Sequence, residues 1–135
     1  MPGPAGRRTP RLTTCFDELA GAIRAWARGL LCLEAAAGLL IGHGAWLYRQ
    51  DFLDAAVEMI TGPGRDIAFV DFTAAAGALA AGGLPCSAGE RAVLQVAAGI
   101  AVGCPVSLAD ALTSMDAASA ALVADAVLHA AGARR

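Results

Sequence analysis

The side chains that could ligate a metal or act as nucleophiles are few in this sequence, and their spacing keeps them apart. The four cysteines include no C-x-x-C pair: Cys15, Cys32, Cys86 and Cys104. No pairing of these with each other or with the two histidines, His43 and His129, has the spacing of a zinc knuckle. We therefore predict no metal, no cofactor and no catalytic residue. We interpret the thiols as small buried side chains in a reducing compartment, the cytoplasm.

Two pairs of titratable side chains have structural explanations. His129 follows Asp125 by one helical turn, which predicts a hydrogen bond on a helix surface. Asp51 and Asp54 resemble paired catalytic carboxylates, but a helix cap followed by a first-turn acid is the ordinary explanation for them.

Residues 87–116 resemble the signature region of ABC-type ATPases. Ser87–Arg91 is similar to the signature element, Asp110 to the Walker B aspartate, and Thr113–Asp116 to the segment that follows it. Such an ATPase also needs a Walker A loop, G-x-x-x-x-G-K-[ST], whose lysine holds phosphate. This chain contains neither that loop nor any lysine. We therefore predict that the protein is not an enzyme, and that the serine and the carboxylates of this region are helix caps.

Composition limits the class of protein. Hydrophobic residues make up 57% of the 135 residues against 16% charged, so the chain can bury a core and is not disordered. The formal charge of -2 argues against nucleic-acid binding through bulk charge. The apolar stretch 29–42 is shorter than the roughly 20 residues that span a bilayer and contains Glu34, so we expect no membrane span.

A heptad-like apolar pattern runs through the N-terminal third. Thr14 and Asp17 have the spacing of a capping box, and the pattern predicts one long helix over 14–41. Its seam is a candidate interaction surface, and the same residues could equally form ordinary core. The seam comprises Phe16, Leu19, Ile23, Trp26, Leu30, Leu33 and Leu40.

The remaining pattern predicts an all-α protein, a compact orthogonal bundle of five or six helices with one long N-terminal helix. Residues 66–71 alternate as a short extended segment that is too brief to found a sheet. Further helices are expected from Asp51 through Ile60 and over 72–81, 88–102, 108–115 and 117–131. The expected organisation is a disordered basic arm at 1–12, one helical domain at 13–132 and a tail at 133–135.

The C-terminal half resembles a set of short actinobacterial proteins without assigned activity. The motifs that carry this resemblance are LPCSAGE at 84–90, DALTSMD at 110–116 and AVLHAAG at 126–132. Segments 42–55 and 68–79 are similar to the middle of the same proteins. The resemblance implies a cytoplasmic helical domain and assigns no catalytic residue.

We therefore expect a non-enzymatic protein-interaction module that forms a homodimer or binds a helical protein partner. The alternative is a DNA-associated regulator. It would use a degenerate helix-turn-helix over about 88–115 and the basic arm with Arg7, Arg8 and Arg11. The segment LADALTSM, which would be the recognition helix, has no Arg, Lys, Asn or Gln for base edges, so we expect no nucleic-acid partner.

Overall fold

The computed structural model describes residues 6–133, and residues 1–5 and 134–135 lie outside the described part. Helices dominate, and a small three-stranded sheet lies beside them. The α-helices are α1 (Phe16–Ala27), α2 (Leu31–His43), α3 (Gln50–Ala56), α4 (Phe72–Ala80), α5 (Ala88–Val102), α6 (Leu108–Thr113) and α7 (Ala117–Ala130). The strands are β1 (Gly6–Arg8), β2 (Val57–Gly62) and β3 (Arg65–Val70), and a short 3-10 helix covers Ala45–Tyr48.

The prediction of one long N-terminal helix is wrong, because the segment divides into α1 and α2 at Gly29. This residue has a φ of 95°, a backbone conformation that glycine adopts without strain. The Gly29 N–H donates to Oε2 of Glu34 at 2.8 Å, so the start of α2 holds the turn. The heptad spacing continued across this glycine and concealed the break.

The prediction of a purely all-α fold is also wrong. Residues from Val57 onward were expected to continue a helix, but α3 ends at Ala56 and the chain enters β2. β2 pairs antiparallel with β3, Met59 opposite Ala68, and β1 pairs with the other edge of β2. The β-branched residues of β2 favour a strand once a partner is present.

β1 falls within the stretch expected to be a disordered arm. Residues 1–5 of that arm lie outside the described residues, whereas Gly6–Arg8 form hydrogen-bonded β1. Arg7 lies 3.6 Å from the Glu58 carboxylate and 5.6 Å from the centre of the Phe69 ring. The described part of the arm is therefore held against the sheet. Of the predicted tail, only Ala133 is described.

Helix starts in the second half follow their predicted caps. Ser87 and Glu90 form the expected capping box at the start of α5. Side chains also cap α4, α6 and α7, from Asp71, Ser107 and Asp116 respectively. By contrast, α1 begins after Cys15 with no side-chain cap bond, so the predicted box at Thr14 does not form.

α2 is central to the helical part, since it packs against α1, α5 and α7. α1 in turn packs against β3, and the Trp26 and Phe69 rings lie 6.3 Å apart. The largest fully buried side chains are Trp46, Phe52 and Phe72. Among the described residues, none of the helices has both the length and the apolar character needed to cross a membrane.

Candidate functional site

Most of the predicted interaction seam faces the interior. Leu19, Ile23 and Leu40 are buried. Phe16, Trp26 and Leu33 are partly buried against the core. Leu30 is 60% exposed. The break at Gly29 separates the two halves of the seam, which therefore do not form one continuous stripe.

A cavity of about 430 Å³ lies where α1, α2 and α7 come together. α1 and α7 both pack against α2, which supplies Ala35, Gly38 and Leu39 to the cavity lining. Ala27 from α1 and Ala126 from α7 add further small apolar surface. We call this cavity the α1–α2–α7 groove. Its volume falls within the range usual for small-molecule sites, and much of its lining is apolar.

Arg24 and Arg28 line the groove from the α1 side. Arg24 lies in the last turn of α1, and Arg28 is the residue that follows the end of this helix. Neither takes part in an ion pair within residues 6–133. Two guanidinium groups therefore border the groove without an opposing carboxylate at contact distance, and guanidinium groups recognise carboxylates and phosphates.

Glu34 and His129 border the groove from α2 and α7. Nε2 of His129 lies 2.7 Å from Oε1 of Glu34, and Oε2 of Glu34 accepts the Gly29 N–H. With Glu34 ionised, the hydrogen of this contact is on Nε2 of His129. The bond joins residues 95 positions apart and fixes the Glu34 carboxylate at the groove.

The predicted bond partner of His129 was Asp125, on the same helix. The structure joins His129 to Glu34 instead, and it places Asp125 beside both of them in the groove lining. A second cavity of about 470 Å³ adjoins the groove and shares these three side chains. Titratable groups that lie far apart in the sequence thus converge at one place in the fold.

The two glycines of the motif G-L-L-I-G in α2 have different surroundings. A Cβ on Gly42 would lie 3.0 Å from Cδ2 of Leu122, so its lack of a side chain lets α7 approach. A Cβ on Gly38 would meet nothing within 4 Å. Gly38 therefore leaves the groove open, and this position is suited to testing whether the groove is used.

A second cluster of polar side chains links the start of α3 to α5 through an ion pair, a cation–π contact and a hydrogen bond. Arg49 pairs with Asp51 and lies 4.6 Å above the Trp46 ring, whose Nε1 donates to the Glu90 carbonyl at 3.0 Å. The hydrogen bond from Arg49 holds the pKa of Asp51 below its usual value. Each of these polar groups has a structural partner, so we interpret the cluster as part of the packing.

Asp51 and Asp54 each have a different structural partner, Arg49 for Asp51 and Gln50 for Asp54. Asp51 was expected to cap the second helix, but the residue before α3 is Arg49, and Asp51 lies inside the first turn. Asp54 accepts a hydrogen bond from the Gln50 amide at 2.9 Å.

The cysteines differ from the expectation of uniformly buried thiols. Cys15 and Cys32 are exposed, whereas Cys86 and Cys104 are half-buried, and all four are free. Burial raises the pKa of the Cys86 thiol. Within residues 6–133, no three His, Cys, Asp or Glu side chains come together as a metal-ligand set.

The region expected to resemble a helix-turn-helix consists of α5 and the short α6. α6 offers the carboxylate of Asp110 and no basic side chain, and Arg7 of the arm is paired at the sheet. Neither feature favours DNA as a ligand.

Comparison with known proteins adds no relative: no family model, no curated protein and no solved structure matches this chain. The resemblance to short actinobacterial proteins stays a prediction.

Proposed function

We propose that the protein is a non-catalytic binding protein whose site is the α1–α2–α7 groove. The observation that carries this proposal is the convergence of five titratable side chains on a cavity of about 430 Å³ with apolar walls. These side chains are Arg24, Arg28, Glu34, Asp125 and His129. Apolar surface with a few polar groups that fix orientation is the usual composition of a small-molecule site. The predicted cytoplasmic location remains part of the proposal.

NMR titration with small aromatic probes tests the proposal. The probes are free phenylalanine, phenylpropionate and phenylethylamine, each added to the labelled full chain. We expect at least one probe to shift the backbone amide resonances of Gly38 and its neighbours in the groove. If none of the three shifts them, the proposed function is wrong.

Two variants at Gly38 locate the binding. Gly38→Leu fills the groove, because open space surrounds the position, and is expected to abolish the shifts. Gly38→Ala is the matched control, since it also replaces glycine but leaves most of the groove open. Circular dichroism checks that both variants keep the helical fold. Shifts that persist in Gly38→Leu would show that the probe binds elsewhere.

The homodimer expected from the sequence is a second candidate function, which we propose at α6 and no longer at the seam. α6 has a single buried residue, Ala111, while Leu108 and Leu112 are 55% and 49% exposed. These leucines are four residues apart and share a helix face, and the small Ala109 beside them favours close approach of the same face in a second copy.

Size-exclusion chromatography with light scattering tests the dimer over a tenfold concentration range. The expected mass is twice 13.5 kDa, and Leu112→Glu is expected to give monomers. Leu30→Glu is the control, because Leu30 is also an exposed leucine, at 60%, but lies at the α1–α2 turn. A monomer at every concentration would contradict the dimer.

A further inference from the structure

We propose that the ligand of the α1–α2–α7 groove is a small organic anion with an apolar body. Its carboxylate or phosphate group binds the guanidinium groups of Arg24 and Arg28, and its body lies against the apolar lining of the groove. This inference rests on the proposed function and specifies the class of ligand that the groove takes.

Arg24 and Arg28 supply the positive charge that holds the anionic group. Both line the groove, and both are exposed, so a ligand that enters from solvent can reach them. Neither is paired with a carboxylate of residues 6–133, whereas Arg7 and Arg49 each have an acidic neighbour. A guanidinium group presents several N–H donors in one plane and binds a carboxylate or phosphate through two of them. The donors of Arg24 and Arg28 are therefore available to an anion in the groove.

The other charged or titratable side chains of the lining have contacts within the protein. Oε1 of Glu34 lies 2.7 Å from Nε2 of His129, and Oε2 of Glu34 accepts the Gly29 N–H at 2.8 Å. Asp125 also takes part in an interaction of its own. These three side chains are therefore assigned to the protein's own contacts, and the two arginines determine the charge of the ligand.

The turn between α1 and α2 fixes the position of Arg28. This residue follows the end of α1 and precedes Gly29, whose N–H donates to Glu34. Because His129 contacts Glu34 from α7, the backbone beside Arg28 is linked to both of the other helices that form the groove. A binding group whose backbone is already fixed loses less freedom when a ligand arrives. The turn thus presents Arg28 at the edge of the groove before the ligand binds.

The apolar part of the lining accommodates the body of the ligand. Ala35 and Leu39 contribute apolar surface from α2, and Ala126 contributes it from α7. Gly38 leaves space beside them, since a Cβ at this position would meet nothing within 4 Å. The volume of about 430 Å³ is near the lower end of the range for small-molecule sites, which favours a body the size of an aromatic ring with a short chain.

Titrations that follow the Gly38 amide resonance compare probes with similar apolar bodies and different charges. Phenylpropionate and phenyl phosphate are anionic, phenylpropanol is neutral and phenylethylamine is cationic. We expect the tighter-binding anion to exceed the neutral probe in affinity by at least about fivefold, and its identity shows whether the group is a carboxylate or a phosphate. Phenylethylamine should bind most weakly, and added salt should reduce the advantage of the anion. Equal binding of the neutral and anionic probes would overturn the inference.

Variants of the two arginines locate the anionic group. Arg24→Gln and Arg28→Gln are each expected to weaken the tighter-binding anion by about fivefold and to leave phenylpropanol unchanged. Arg91→Gln is the matched control and should change nothing, because Arg91 is also an exposed arginine but lies on α5, outside the groove lining. If the anions bind at Gly38 but neither groove variant weakens them, the groove is a binding site and the anion inference is wrong. If neither these probes nor phenylalanine shifts the Gly38 amide, the proposed function itself is wrong.

Discussion

Gly38 and Gly42 lie one turn apart on α2, and their different surroundings give the missing side chain a different effect on packing at each position. Glycine inside a helix costs about 0.5–1 kcal/mol relative to alanine, because it loses more backbone freedom on folding. At Gly42 this cost accompanies the close approach of Leu122, whereas at Gly38 no contact requires the missing side chain. An unfavourable helix residue next to a polar-rimmed cavity is consistent with a position kept open for a ligand.

Gly38→Ala is therefore expected to raise the free energy of unfolding by about 0.5–1 kcal/mol. Gly42→Ala is expected to gain less, because its Cβ would lie 3.0 Å from Leu122 and that side chain must move. Urea unfolding of both variants measures the difference. A gain at Gly42 equal to that at Gly38 would contradict the close approach of Leu122 to Gly42.

We expect the exposed cysteines to react with alkylating reagents faster than the half-buried Cys86. Cys15 and Cys32 are exposed, and Cys86 is half-buried with its pKa raised by burial. Because the thiolate is the reactive form, iodoacetamide at about pH 8 is expected to modify Cys15 and Cys32 well before Cys86. Peptide mass spectrometry over time gives the order of modification. Early alkylation of Cys86 in the folded protein would show that its burial is wrong.

At the scale of elements, α5 has the best-defined beginning in the chain. Ser87 Oγ accepts the Glu90 N–H at 3.1 Å, and Glu90 Oε1 accepts the Ser87 N–H at 3.0 Å. The bond from the Ser87 backbone, assisted by that from its side chain, lowers the pKa of Glu90 below its ordinary value of 4.5. The charged carboxylate therefore stabilises the helix at neutral pH, and protonation removes this contribution.

Glu90→Gln is expected to lower the free energy of unfolding by about 0.3–1 kcal/mol near neutral pH. A carboxyl whose pKa is lowered by folding stabilises the folded state above its unfolded pKa and loses this effect as the pH falls through the folded pKa. The difference between wild type and variant should therefore shrink as the pH falls below 4.5. Urea unfolding at neutral and acidic pH measures it, and a difference independent of pH would contradict the carboxylate's role.

The helix ends that could be predicted are those with local signals. The caps of α5, α6 and α7 involve residues three apart, and the sequence displays them directly. The break at Gly29 depends on a positive φ that a heptad count does not register. The sheet depends on pairing of β2 with β3, which follows it in a hairpin, and with β1, which comes from the N-terminal end of the described chain. Pairing with neighbouring strands overrides helical periodicity, so Val57 and Ile60 were assigned to the wrong element.

At the scale of the whole molecule, the groove could not be predicted, because its parts meet only through the packing of α1 and α7 on α2. Glu34 and His129 are 95 residues apart, and nothing in their spacing points to a bond. The sequence offered instead a pairing within one helix, His129 with Asp125. Most apolar residues of the seam pack against the rest of the chain, whereas Leu30 is 60% exposed.

Two substitutions in the seam test whether its residues are core. Ile23 is fully buried, whereas Leu30 is 60% exposed. If the seam is core, Ile23→Ala leaves a cavity and lowers the free energy of unfolding by about 2–5 kcal/mol, while Leu30→Ala changes it by less than about 0.5 kcal/mol. Neither variant should alter the mass measured by light scattering, because neither side chain lies on α6. A large loss of stability together with dissociation in Leu30→Ala would instead place a subunit interface at the α1–α2 turn.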